Sequence, residues 1–283
     1  MGDEREGIGG AEHPILHIQL NADGVVAPAR QAAATVAEVV AGCLRAFEAG
    51  ELARPAPLAG FSAVIDLGMP DLAPEARHSL YSNWLVAKGF QDLLRGVRAS
   101  LEEALLFIAL MGYEPKLTTV GAIEEFVAQT RKTASGLKFP ALLERIHRGL
   151  KLPLIYGAEV QSLQSARNCL EHRNGIVGQG DVDPITQALT ISFPRMKVFY
   201  ERDGQELEIM PNAVVDAGEE KAEVQIYMRR DIATKSFALG ERIEFSVPEF
   251  IEIAMSCMIF AADLAGKLPS GTRAVPPRGT DES

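Results

Sequence analysis

Apolar positions recur at helical spacing over most of this chain. Between residues 29 and 49, Ala32, Val36, Val39, Val40, Cys43 and Phe47 line up, with Pro28 before them and Gly50 after. That pattern predicts a helix. The longest signal begins at Pro74, a residue suited to the first turn of a helix. No further proline falls in residues 75–111, where Trp84, Phe90, Leu94, Val97, Leu101, Leu105 and Ile108 mark one face. One long amphipathic helix is expected there, or two joined near Gly89 or Gly96. Shorter helices are expected over residues 119–131, 140–150 and 158–171.

The period then switches from helical to alternating. Leu189, Ile191 and Phe193 alternate, as do Val224, Ile226 and Met228, and Ile243 and Phe245. Residues 197–202 and 205–210 flank Asp203-Gly204, a strong two-residue hairpin signal. Residues 14–20 and 61–67 read as further short strands. The helical period returns after Ser246-Val247-Pro248-Glu249, which fits a capping box. Residues 250–264 are apolar almost all round and should be buried, with Gly266 as the stop. Strands and helices do not alternate, so a doubly wound sheet fits poorly. The expected fold is mainly α, a helical bundle with a small antiparallel β-sheet insertion before the last helix, α+β overall. The expected organisation is a disordered stretch over 1–12, a strand and helix segment over 13–70 packed on the core, a helical domain over 71–268 with the β insert at about 185–246, and a disordered tail over 269–283.

The net charge of −10 disfavours a general nucleic-acid binder. Its distribution changes that picture. Arg131, Lys132, Lys138, Arg145, Arg148 and Lys151 crowd one stretch, opposed only by Glu144. This stretch is either a local polyanion contact or a solvated helix face. The three cysteines, Cys43, Cys169 and Cys257, are odd in number and widely spaced, which fits reduced thiols. There is no apolar run of transmembrane length, and the acidic, glycine-rich start lacks the pattern of a signal peptide. A cytoplasmic protein is therefore expected.

The chemistry concentrates in residues 166–175, Ala-Arg-Asn-Cys-Leu-Glu-His-Arg-Asn-Gly. Asn168 and His172 are four apart and share a helix face, so the amide can orient the imidazole. Arg167 is five from His172, about 140° around a regular helix. The two converge only if the helix ends near Glu171 or if a second copy of the motif faces the first. Gly175 makes an ending there plausible. This residue set suits RNA cleavage without a metal. Histidine serves as base or acid near neutral pH. Arginine offers a fixed charge and a fork matched to phosphate oxygens. The nucleophile is the substrate's own 2′-OH.

The R-N-x-x-x-H pattern of Arg167 to His172, at a helix end and followed by Arg173-x-Gly-Ile-Val, resembles the R-x4–6-H motif of the HEPN superfamily. Members are α-helical, usually dimeric, and often metal-independent endoribonucleases that recur as toxins and in antiviral defence. The resemblance covers roughly residues 73–178 and 246–266. It implies Arg167, Asn168 and His172 as the catalytic set; Arg173, beside the motif, and Arg145, Arg148 and Lys151 of the basic stretch are the expected RNA contacts. It implies no cofactor and no metal. It also implies a homodimer whose facing motifs share one cleft, an RNA substrate, and an antitoxin or regulatory protein as a further partner. The alternative is a non-catalytic dimerisation or ligand-binding module, in which Arg, His and Asn only satisfy a helix end.

Other residues carry less. His13 and His17 share a presumed strand face, but no Cys or Asp cluster completes a metal site. His78 and His147 read as surface residues, with His147 within reach of a phosphate. Glu171 either acts on His172 through its charge or faces solvent. Cys169 reads as packing, and so do Trp84 and Phe90.

Overall fold

The computed structural model describes residues 20–50, 71–113, 119–210 and 224–270. Within them lie six helices and a three-stranded antiparallel sheet. The fold is mainly α with a β insertion before the last helix. The strands expected at 14–20 and 61–67, the histidines His13 and His17, and nearly all of both expected disordered ends lie outside the described residues.

Helix α1 spans Ala22–Ala49 and begins two turns before the expected start. The Asn21 side chain accepts from Asp23 N and caps it. Pro28 thus sits inside the helix, where a proline breaks the ladder. The buried Ser100 hydroxyl of α2 takes up the adjacent amide, Ala29 N, at 3.0 Å. Helix α2 spans Pro74–Met111 without interruption. Its two glycines are therefore not joints. They lie where α1 and the last helix press closest: a Cβ on Gly96 would fall 2.5 Å from Ala32 Cβ of α1, and one on Gly89 would fall 2.5 Å from Phe250 Cζ of the last helix. Phe90, Leu94, Val97, Leu101 and Leu105 are buried as expected, but Trp84 is 62% exposed. Six residues separate Trp84 from Phe90, which turns it about 120° off the core face. It instead joins Phe47, Leu80, Tyr81 and Leu85 around an apolar surface hollow.

Helices α3 (Val120–Gly136), α4 (Phe139–His147) and α5 (Gly157–His172) follow. Helix α6 (Val247–Lys267) opens on the expected capping box: the Ser246 and Glu249 side chains each bond the other's backbone amide. Its Phe250, Ile253, Cys257, Phe260 and Leu264 are fully buried, and α1 packs along both α2 and α6. No helix of the described residues is long and apolar enough to cross a membrane.

The sheet comprises β1 (Ala188–Arg202), β2 (Gln205–Glu208) and β3 (Ile226–Ala238), in the order β2-β1-β3. Asp203 (φ 53°) and Gly204 (φ 72°) form the expected tight turn, both in the left-handed region that such a hairpin requires. Leu189, Ile191 and Phe193 face the core from β1. No strand forms at Ile243 and Phe245; only an isolated bridge joins Ile176 to Arg242. The reason is local. Ile243 N donates to Gly175 O at 2.8 Å, and Phe245 stacks on Phe90, so this segment closes the end of α5 rather than extending the sheet.

Candidate functional site

Helix α5 carries the motif. Val160, Leu163, Ala166, Cys169 and Leu170 hold it against the core. It ends at His172, one residue past the expected end. The amides of Arg173 and Gly175 both donate to Cys169 O, at 3.0 and 3.2 Å, while Asn174 (φ 52°) and Gly175 (φ 77°) turn left-handed. A side-chain-bearing residue at 174 tolerates this because it is asparagine. The turn leads into residues 176–178, which pair with the strand-like segment before α6 through Val177 N to Glu241 O and Gly240 N to Val177 O, both 2.9 Å.

The motif side chains form a short network on the helix surface. Gln164 Nε2 donates to Asn168 Oδ1 at 2.9 Å, and an Arg167 guanidinium nitrogen donates to the same oxygen at 3.3 Å. Arg167 also forms an ion pair with Glu171, one turn on. Asn168 is thus engaged by Gln164 and Arg167 rather than by His172. The His172 imidazole is exposed and makes no hydrogen bond to another described residue. The helix stays regular through His172, so Arg167 and His172 of one chain diverge around it, by about 140°.

The residues expected to touch RNA fall into two places. Arg173 is next to the motif, but Asp181 holds it in an ion pair and raises its pKa further. Its stem lies against Gly178, where a Cβ would meet Arg173 Cδ at 2.9 Å. Asp181 also accepts from Gly178 N at 2.9 Å, so the pair fastens the loop that follows the motif. Asp181 escaped the sequence reading because nothing local marks an aspartate eight residues away as the partner.

Arg145, Arg148 and Lys151 lie at the other end of α5. His147, the last residue of α4, sits 3.7 Å from the Cβ position of Gly157, the first residue of α5. From there to His172 the helix rises about 22 Å. Arg148 pairs with Glu144 and Lys151 with Ser270, while Arg145 makes no ion pair among the described residues. Farther along the basic stretch, Arg131 pairs with Glu103. The six cations are thus spread over α3, α4 and the two loops beside α4. His147 is a structural residue: its Nε2 accepts from Leu154 N at 2.9 Å and shapes the turn into α5.

Cys169 is fully buried, and burial followed by the Asp181 carboxylate pushes its thiol up to about 11. It is packing, not a nucleophile at neutral pH. Among the described residues, no group of three or more His, Cys, Asp or Glu side chains is arranged to hold a metal ion. Comparison with protein-family models, with curated proteins and with solved structures matches none of them to this chain.

Proposed function

We propose that this protein is a metal-independent endoribonuclease of HEPN type. The observation that carries the proposal is the end of α5, where Arg167, Asn168 and an exposed, unengaged His172 follow one another on one helix. In this reading the RNA phosphate is gripped by Arg167, which gives up Glu171 to receive it. His172 takes the proton from the 2′-OH or returns one to the leaving 5′-oxygen. The attack forms a new 2′-O–P bond, breaks the P–O5′ bond, and leaves a 2′,3′-cyclic phosphate and a 5′-hydroxyl. One chain offers a single His172, turned away from its own Arg167. A second copy facing the first supplies the missing acid or base and completes the cleft. A toxin or antiviral effector, restrained by an antitoxin or regulatory protein in the cytoplasm, is the biological role this chemistry fits.

The second reading is a non-catalytic dimerisation or binding module. The Arg167–Glu171 pair favours it, because the guanidinium already has a carboxylate partner. The test is RNA cleavage by purified wild-type and His172→Ala protein in EDTA, with product ends determined. Cutting that leaves cyclic phosphates and is lost in the variant supports the enzyme. A wild type that leaves varied RNAs intact moves the weight to the binding module.

A further inference from the structure

The two edges of the sheet are treated differently. The outer edge of β1 is engaged at several points. β2 covers its far end, pairing Phe199 to Arg202. Nearer the core, α5 does the work: the Ser162 hydroxyl donates to Ser192 O and accepts from Ser192 N, both at 2.8 Å, as a neighbouring strand would. Pro194, which has no N–H to offer, falls on that same side. Among the described residues, no element pairs with the other edge, the outer side of β3.

Which β3 groups are free follows from the register. Ser192 is paired with Thr234, and its backbone groups point away from β3. The two therefore form a non-hydrogen-bonded pair, and the N–H and C=O of Thr234 point outward. By alternation the same holds for Ile226, Met228, Arg230, Ile232 and Ser236. Val198 supports this parity, since its carbonyl accepts from Ile209 N rather than from β3. Ala238 belongs to the same set, but its amide is already taken by the Glu241 carboxylate at 2.7 Å. Among the described residues, the unpaired edge thus runs from Ile226 to Ser236. Beside it stand exposed apolar side chains: Ile226 (58%), Met228 (67%) and Ile232 (41%). A long open edge with exposed apolar residues is a pairing site.

We propose that two copies of this chain pair edge to edge through β3, antiparallel, with the two-fold axis at Ala233. Charge complementarity selects the copy and the register. With the axis at Ala233, Ile232 lies opposite the partner's Thr234 and Arg230 opposite the partner's Ser236, so the free backbone groups satisfy one another reciprocally. Asp231, which also reaches Arg195 of its own chain at 3.5 Å, lies opposite the partner's Lys235. Within one chain Lys235 pairs with Glu249 at 2.7 Å, so the existing ion pairs extend across the seam, twice by symmetry, on one face of the sheet. Neighbouring registers are worse. An axis at residue 232 sets Arg229 against the partner's Lys235. An axis at 231 or 230 sets Asp231 or Arg230 against itself. An axis at 234 loses both ion pairs and spends Arg230 on the partner's Ala238. The product is a continuous six-stranded sheet with α5 of each copy on its outer rim, so this pairing is a second interface, separate from the one that would face two α5 motifs. The interface is independent of the α5 motif and does not rest on RNA cleavage.

Two measurements test this on the full chain. Sedimentation equilibrium compares the wild type with Ile232→Pro. The Ile232 amide points outward, so proline there removes an interface donor and no β1–β3 bond. Ile232→Arg serves if the proline variant fails to fold, which far-UV circular dichroism checks. In a Cys43→Ser background, mild oxidation compares Ala233→Cys with Met228→Cys. The expected results are a twofold drop in mass on the Ile232 substitution, and a symmetric disulfide at 233 but not at 228. Equal masses for wild type and variant overturn the proposal. So does a 233 variant that fails to cross-link, or one that cross-links no faster than 228.

Discussion

Gly96→Ala and Gly42→Ala are the same chemical change on two facing helices, and they should alter stability in opposite directions. At Gly42 in α1 a Cβ meets nothing within 4 Å, so alanine brings only its higher helix propensity. The expected gain is about 0.5–1 kcal/mol. At Gly96 in α2 the new Cβ lands 2.5 Å from Ala32 Cβ, 2.8 Å from Pro28 O and 3.4 Å from Ala29 Cα. Carbon atoms settle at about 3.5–4.0 Å, so the helices must part by about 1 Å or more. None of the three atoms can rotate aside, because two are backbone and the third is a Cβ. Overpacking of this kind costs about 1–3 kcal/mol, here towards the upper end. After the propensity gain, the net loss is about 2 kcal/mol. Urea unfolding followed by circular dichroism reads both variants. The midpoint should rise for Gly42→Ala and fall for Gly96→Ala, with unchanged slopes. A Gly96→Ala midpoint at or above that of the wild type refutes the close approach of α1 and α2.

Glu171→Gln should free Arg167 and strengthen RNA binding up to about fivefold, the worth of a partly exposed ion pair. Fluorescence anisotropy in a His172→Ala background reads this without consuming the RNA, and the gain should vanish when Arg167→Ala is added. His147→Ala leaves the Leu154 amide without its acceptor and should cost about 1 kcal/mol in urea unfolding with RNA cleavage unaffected. Burial raises the Glu249 carboxyl, but Lys235 and the Ser246 amide and hydroxyl outweigh it and hold it below its usual range. A depressed carboxylate stabilises the fold above its unfolded pKa of about 4.3 and loses that as the pH falls through the folded value. Glu249→Gln should therefore be less stable than the wild type at pH 7, by at most about 1 kcal/mol after screening. The gap should close below about pH 4.

The features legible in the sequence are those fixed by neighbours along the chain. Apolar spacing predicts the helices because side chains three and four apart share a face. Asp203-Gly204 predicts its turn because both positions need the left-handed region, and Ser246 with Glu249 predicts the start of α6 because the cap is closed within one turn. Gly175 marks the end of α5 for the same reason, and so the sequence locates the motif at a helix terminus. What each motif side chain touches was only half legible. The ion pair of Arg167 with Glu171 lies within one turn and is open to inspection, whereas that of Arg173 with Asp181 depends on how the next loop folds back.

Only the tertiary structure decides the rest, because it depends on what arrives from elsewhere in the chain. Trp84 and Phe90 look alike as large apolar residues of one helix, yet only the face of α2 that α1 and α6 cover turns such residues into core. Gly89 and Gly96 read as joints in sequence, and become contact points because α1 and α6 press on them. The basic stretch looks like one patch and is divided among α3, α4 and the loops beside α4, while His147 within it lies by the first residue of α5, at the end opposite His172. Ser162 is an unremarkable serine until β1 comes alongside, when its hydroxyl engages one edge of the sheet, while the other, β3, is unpaired among the described residues. Spacing along the chain sets which residues share a face; packing sets what that face meets.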